Sequence, residues 1–486
     1  MLIAAAILFP MIAGAIVSAG KNSLDEKRPS YIAVMLITDF LAVTAMLAGE
    51  RFIPVSFTEN VPMLFVPDGL GRYILTAGLI LYTAVCFYAF EYMKMEEKPE
   101  MFFTFFFISL GALVAVCLSG NLVTMYLSFE LMTLTTVPLV LQEMSEDAVS
   151  AGLKYLFYSV AGALMGLLAV FFVYHFAGSA DTSFVYGGFL TPDSIAGHEK
   201  LFLGVMMAGI IGFGTKAGLY PMHGWLPTAH PIAPAPSSAL LSGIVAKAGV
   251  LAIIRLVYFS AGADLLRGTW VQYTWMSLAM LTIFMGSMMA FREKILKKRL
   301  AYSSISQISY ILLGLSFLSS DGLNGGLLHL MGHAAAKGCL FLVAGIFIYK
   351  LGVRRVTDLR GVGCRMPVTL WCFTIVSLSL IGIPPLAGFL SKWVIASAAI
   401  GSGMGIFRIL APAVLLVSAL LTAGYLLPVT VNGFFPGHAE GAEEHAEEEF
   451  ENAEPSSLMT IPLICLSCVT LIVGIWGMKI IALLGF

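Results

Sequence analysis

Apolar runs of about twenty residues recur along this chain with little between them, and that recurrence decides most of what it can fold into. A helix needs ~20 mainly apolar residues to cross the hydrocarbon core of a bilayer. Runs of this kind lie near 1–20, 30–49, 70–90, 101–119, 121–142, 153–177, 201–220, 237–259, 270–291, 300–318, 324–349, 368–400, 406–432 and 458–483. Composition agrees: of 486 residues, 59% are hydrophobic and 12% charged, about half the ~25% charged content of a soluble domain. A soluble chain of this length would need a far larger polar exterior. The pattern predicts an all-α polytopic membrane protein of about 14 transmembrane helices. The first run lacks a basic leader and reads as a span rather than a cleaved signal. The twelfth is too long for one straight helix and holds Gly382, Pro384, Pro385 and Gly388, so a break is expected there.

Basic residues order the connections. Sixteen of the 27 lysines and arginines fall in or beside odd-numbered loops and five beside even-numbered ones. Lysine and arginine concentrate on the cytoplasmic side, which predicts cytoplasmic odd loops and both termini outside, the membrane being the cell's inner (plasma) membrane. The segment 437–454 is strongly acidic and reads as a solvated cytoplasmic loop, or alternatively as a surface for a partner. The net charge of −2 carries no nucleic-acid signal, and the seven cysteines read as small buried hydrophobes rather than as a metal, cluster or haem site.

Six cations remain: Lys216, Lys247, Arg255, Lys337, Lys392 and Lys479. Lys479 can snorkel to an interface, and Arg255, late in its helix, can either do the same or act with the others. The other four lie inside spans, where each costs ~2.5–3.5 kcal/mol unless paired or hydrated. One such lysine is explicable as structural glue, whereas four point to an ion path or proton relay. Glu130, mid-span in LSFELMTL, is the acidic counterpart, with Lys216 its expected partner: pairing keeps both charged and makes the lysine's proton affinity depend on whether the pair is closed. A static ion pair joining two helices is the other reading. Asp39, within the second span, has no partner nearby in sequence and is either structurally paired or functional. His329, His333 and Lys337, four apart, fall on one helix face as a polar stripe able to pass a proton through water. Two histidines at that spacing also suit a metal, but no third ligand is near and no metal is assigned.

Two segments combine helix breaking with charge. GFGTKAGLYPMHGWLPTAHPIAPAP places Gly218, Pro221, His223 and His230 around and after Lys216, and GIPPLAGFLSKW places Pro384 and Pro385 ahead of Lys392. Backbone groups freed by such breaks must be satisfied by protein or by cavity water, and paired breaks mark inverted-repeat transporters. The seventh and twelfth spans are five apart. Two inverted five-helix repeats, 101–260 and 270–432, would each carry one broken helix. They would follow three N-terminal helices (1–100) and precede an acidic loop (433–457) and a last helix (458–486).

The stretch GTKAGLYPMHGWLPTAHPIAPAPSSALLSGIVAKAGV resembles the signature of the antiporter-like subunits shared by respiratory complex I, the multisubunit Mrp-type sodium/proton antiporters and the energy-converting membrane hydrogenases. SFELMTL, HAAAKGCLFLVAG and IPPLAGFLSKW resemble that family's fifth-, eleventh- and twelfth-helix segments, and the likeness runs from about span two to span thirteen. It implies a gating pair for Glu130 and Lys216, a central relay for Lys247, a link for His329, His333 and Lys337, and an exit for Lys392. His223, His230, Asp39 and Arg255 are accessory positions. Some members carry glutamate where this chain has Lys392, and many complex I members carry proline where it has Gly218. These departures lean toward the hydrogenase and formate hydrogenlyase type or the Mrp D-type subunit.

The function expected is therefore a proton-conducting subunit of a multisubunit redox-driven pump, with sodium left open as a second cargo. It would hold no cofactor of its own, pack against other membrane subunits and lipid, and leave redox chemistry to a peripheral arm. A D-type member of a non-redox Mrp antiporter and a stand-alone transporter of a small solute are the alternatives. A membrane-embedded enzyme would need convergent carboxylates or a metal site that the sequence does not offer.

Overall fold

The computed structural model describes residues 1–58, 61–435 and 452–484, and these are almost entirely helical. In chain order come α1 (Leu2–Ala19), α2 (Leu24–Ala48), a small antiparallel hairpin of β1 (Ser56–Thr58) and β2 (Val61–Pro62), α3 (Gly69–Tyr92), α4 (Pro99–Leu118), α5 (Leu122–Val140) and α6 (Glu146–Ala177). Then follow α7 (Glu199–Ala217), the short α8 (Leu226–Ile232), α9 (Ala235–Leu240), α10 (Ala246–Leu256), α11 (Trp270–Arg292), α12 (Leu296–Ser316) and α13 (Ser320–Leu351). The chain ends with α14 (Val362–Arg365), α15 (Pro367–Ile381), α16 (Ala387–Gly401), α17 (Phe407–Phe434) and α18 (Ser457–Ala482). Among the described residues, twelve helices are long and apolar enough to cross a membrane. The tenth predicted position falls on α12, whose first turn carries Lys297, Lys298 and Arg299, and the twelfth is split into α15 and α16. Residues 437–451 of the acidic segment lie outside the described residues.

Caps move helix starts away from the apolar runs. α6 and α13 begin at Glu146 and Ser320, several residues before the runs at 153 and 324, because Ser145 and Ser319 accept the N–H groups of Ala148 and Gly322 and so satisfy donors that a helix start leaves free. A displacement without a side-chain cap matters at α12. It begins at Leu296 rather than near 300, so Lys297 and Arg299, expected among the loop cations, lie inside a helix and are buried.

Both expected breaks are present and are made alike. α7 ends on Gly218 (φ +80°) and α15 on Gly382 (φ +101°), left-handed conformations that glycine adopts without a Cβ clash. Gly218 N–H bonds to Thr215 O and Leu219 N–H to Gly214 O; Gly382 N–H bonds to Ser379 O and Ile383 N–H to Leu378 O. This is one Schellman termination, used twice with the same offsets. A cis proline bond follows at each break, Tyr220–Pro221 and Pro384–Pro385.

The stretch Ala235–Ala261 and α13 form the middle of the bundle, buried along nearly their whole length. Ala235–Ala261 runs through two π-helical turns, Leu241–Val245 and Val257–Ala261. The outer helices expose large apolar side chains, among them Phe40, Leu47, Phe157, Phe171, Leu416 and Leu420, as a lipid-facing surface requires. The cysteines divide: Cys86, Cys117, Cys339 and Cys372 are buried as expected, but Cys364, Cys465 and Cys468 are exposed, the last two spaced C-x-x-C on α18.

Candidate functional site

Lys216, Lys247, Lys337 and Lys392 lie in the bundle interior, each held by backbone or hydroxyl groups. Lys216, in the last turn of α7, is 1% exposed. Its Nζ donates to Thr133 Oγ1 and to Tyr155 OH, both at 2.8 Å, and lies over the rings of Tyr155 and Phe129 at 4.8 and 5.5 Å. Tyr155 OH lies 2.8 Å from Thr136 Oγ1, which bonds to the carbonyl of Met132. The amine is thus anchored on α5 one turn from Glu130. The expected Glu130–Lys216 ion pair is open: no contact joins the two within 4.0 Å, and Glu130 Oε1 is buried without a hydrogen bond. The two side chains remain within Coulomb reach.

Lys247 lies on α10 directly after the first π turn, and its Nζ donates to Ser242 O within that turn. Single π turns inside α-helices recur at functional sites. Gly249 brings α10 against α7: a Cβ there would meet Phe213 O at 2.4 Å and Lys216 Cβ at 2.9 Å. From Lys247 a hydroxyl bridge crosses to the second half. Ser242 Oγ and Ser304 Oγ are 2.7 Å apart, Ser304 Oγ donates to Leu300 O at 2.9 Å, and Lys337 Nζ donates to the same carbonyl at 3.0 Å.

The stripe on α13 continues the line. His333 and His329 stack with ring centres 5.9 Å apart, and His329 stacks on Tyr310 at 5.3 Å. His329 Nδ1 and Ser391 Oγ are 2.9 Å apart, which ties the stripe to α16 next to Lys392. Lys392 Nζ donates to Leu380 O at 2.6 Å and Ile381 O at 2.9 Å, and lies 4.9 Å from the Tyr310 ring centre. These carbonyls are the ones the break at Gly382 releases. Among the described residues, both ring nitrogens of His333, Nε2 of His329 and Oε1 of Gln307 are buried without a hydrogen bond. Buried polar atoms of this kind call for water, which a proton-passing file also requires.

The accessory positions separate. His230 is fully buried with both ring nitrogens unbonded, stacks on Phe341 at 4.8 Å, and lies within electrostatic reach of Lys247, Lys337 and Lys297. It belongs with the central group. His223 sits after the first break, partly buried and stacked on Tyr220 at 5.7 Å. Arg255 neither snorkels nor joins the line: its guanidinium grips both carboxylate oxygens of Asp68, lies over Phe184 and Phe259, and is fully buried. Asp39 accepts from Thr83 Oγ1 at 2.9 Å, its other oxygen is buried and unbonded, and it faces sideways out of the bundle between α2, α3 and α18.

Sequence reasoning missed Lys297, whose Nζ donates to Pro231 O and Ala233 O at the end of α8, and Lys27, buried and paired with Glu100 at 3.4 Å. It also missed the hydroxyls that link the lysines: Thr133, Tyr155, Ser242 and Ser304. Of these only Ser304 carried a signal, in YSSISQISY, a polar run inside an expected span. Among the described residues no three histidine, cysteine, aspartate or glutamate side chains converge as a metal site.

Known proteins resemble this chain in sequence and in fold. Residues 119–422 match the family model described as NADH:quinone oxidoreductase/Mrp antiporter, TM. The chain is 32% identical over 422 residues to NADH-quinone oxidoreductase subunit N of Desulforudis audaxviator, covering 84% of this chain and 82% of that protein. It is 26% identical over 476 residues to the D component of the Na(+)/H(+) antiporter of Alkalihalophilus pseudofirmus, covering 96% and 92%. It is 32% identical over 343 residues to hydrogenase-4 component B of Escherichia coli, covering 67% of this chain but about half (49%) of that longer protein. In fold it is similar to a chain of the Mrp complex from Dietzia sp. (TM-score 0.83, 22% identity, 100% of this chain and 96% of that one). It is similar to the same degree to a chain of an archaeal membrane-bound sulfane sulfur reductase (TM-score 0.84, 21% identity, 99% and 96%). This multi-pass membrane protein belongs to the NADH:quinone oxidoreductase/Mrp antiporter family, the antiporter-like membrane subunits of complex I, Mrp antiporters and membrane hydrogenases.

Proposed function

We propose that this chain conducts protons through the membrane as one subunit of a multisubunit ion pump, along an axis running from Glu130 and Lys216 through Lys247, His333, Lys337 and His329 to Lys392. The observation that carries this reading is the interior row of amines and imidazoles, each costly alone: a hydroxyl pair and a shared carbonyl connect the π turn at Lys247 to Lys337, and a ring stack leads from His333 through His329 to Ser391 beside Lys392. Protons enter from the cytoplasmic side near Lys247 or His333 and leave near Lys392. Closing the Glu130–Lys216 pair draws Lys216 away from Thr133 and Tyr155 and alters the affinity of the next lysine. The two identical helix terminations support two inverted five-helix repeats, 101–260 and 270–432. The basic loops face the cytoplasm and the termini the outside of the inner membrane. Redox chemistry, where the complex has any, belongs to partner subunits.

The test is Glu130→Ala in the assembled complex. Assembly should persist and transport should collapse; normal transport would remove the pair from the mechanism. The near whole-length alignment with the D component of a Na(+)/H(+) antiporter favours a second reading, a non-redox antiporter. Transport driven only by a sodium or proton gradient, with no electron donor, would select it.

A further inference from the structure

The interior row leaves one membrane-embedded carboxylate unused. α2 and α18 both pack on α3 and enclose a lateral groove of about 670 Å³ between them, open to the lipid side. Its walls include Val43, Met46, Ile80, Phe87, Leu458 and Ile461, and Asp39 is the charged residue within it. One oxygen of Asp39 takes the Thr83 hydroxyl at 2.9 Å; the other is buried and has no donor among the described residues.

Depth decides what can supply that donor. The apolar part of α2 runs from Tyr31 to Ala48, and Asp39 stands at its middle. At ~1.5 Å per residue it lies ~13 Å of helix from either end of that run. A lipid headgroup at the edge of the hydrocarbon core therefore sits well away from the carboxylate, and acyl chains carry no donor. A bound cation would find Asp39 and Thr83 but otherwise almost wholly apolar walls, too few oxygens for a hard ion. At mid-bilayer, protein is present as helix, and ionisable groups there pair with one another.

We infer that this groove is the docking site for a transmembrane helix of another subunit, one that places a lysine or arginine at mid-bilayer depth against Asp39. The inference rests on this chain being part of a multisubunit assembly, as its named relatives are, and on charge complementarity at the unbonded oxygen. It does not depend on whether the interior row conducts.

The experiment uses the intact complex in native membranes, with a photo-crosslinking amino acid in place of Ile461, which is 56% exposed on the groove wall. The expected result is an adduct to a transmembrane peptide of a co-assembled subunit bearing a basic residue. The adduct should be lost with Asp39→Leu and restored with Asp39→Glu. Adducts to lipid alone, or a protein adduct whose yield is unchanged by Asp39→Leu, would overturn the assignment. The crosslink at an unaltered Asp39 needs no carboxylate substitution, so misfolding of a variant cannot mask it. Transport lost in Glu130→Ala with this adduct intact would separate the axis from the dock.

Discussion

The open state of the Glu130–Lys216 pair rests on two hydroxyls, which makes its population adjustable. Lys216 Nζ gives one hydrogen bond to Thr133 and one to Tyr155, each 2.8 Å. Thr133 is one turn from Glu130 on the same helix, so moving between the open and closed states asks only for a swing of the lysine chain. A hydrogen bond to a charged group contributes ~1.5–3 kcal/mol, and ~1.4 kcal/mol is tenfold in an equilibrium. Tyr155→Phe should therefore tilt the balance toward the closed pair by roughly ten- to a hundredfold. Reconstituted complexes carrying Tyr155→Phe should assemble normally, with their proton transport, read as quenching of a pH-sensitive dye in vesicles, falling by about tenfold or more. A double-mutant cycle isolates the cause: with Glu130→Gln already present, adding Tyr155→Phe should change little, because the closed pair no longer exists to be favoured. Additive losses in the cycle, or unimpaired transport in Tyr155→Phe with Thr133→Val, would refute the switch.

Removing Asp68 leaves Arg255 buried without its carboxylate, a change that costs ~3–5 kcal/mol for a fully buried pair. Because Asp68 is 31% exposed, the lower end applies. Asp68→Ala should lower the melting temperature of the purified complex while transport per assembled complex stays near normal. Gly388→Ala places a Cβ 1.7 Å from Ser379 O, across the second break, whereas Gly401 has open space. Gly388→Ala should abolish assembly on native gels and Gly401→Ala should leave it intact.

How much of this was legible in the chain depended on whether the signal was local. Apolar run length gave the helices, and glycine and proline gave both breaks, since each acts within a few residues. His329, His333 and Lys337 showed themselves by spacing alone. Lys297 did not, because its helix starts at Leu296 with no side-chain cap to mark the place, and a cation at the edge of an apolar run looks like a loop cation. Nor could sequence tell that Arg255 and Asp68, 187 residues apart, would meet. It expected Glu130 to pair with Lys216 and did not expect the hydroxyls that hold the amine instead, since Thr133 and Tyr155 look ordinary in an apolar helix until Lys216 is placed between them.

On the proposed axis, Lys392 would have to combine a structural bond and a mobile proton on one atom. The break at Gly382 frees Leu380 O and Ile381 O, and the amine donates to both. An ammonium has three N–H donors, so two cap the helix end and one is spare. Loss of the spare proton leaves an NH₂ group that still caps both carbonyls, and the break need not open when the proton departs. Glutamine also offers two N–H donors, with no charge to lose and a reach one bond shorter; methionine offers none. Lys392→Gln should then preserve assembly but stop transport, while Lys392→Met should weaken assembly as well, each uncapped buried carbonyl costing ~1–3 kcal/mol. Equal assembly of the two variants would show that the lysine does not cap the break, and transport by the glutamine form would show that no proton needs to reside there.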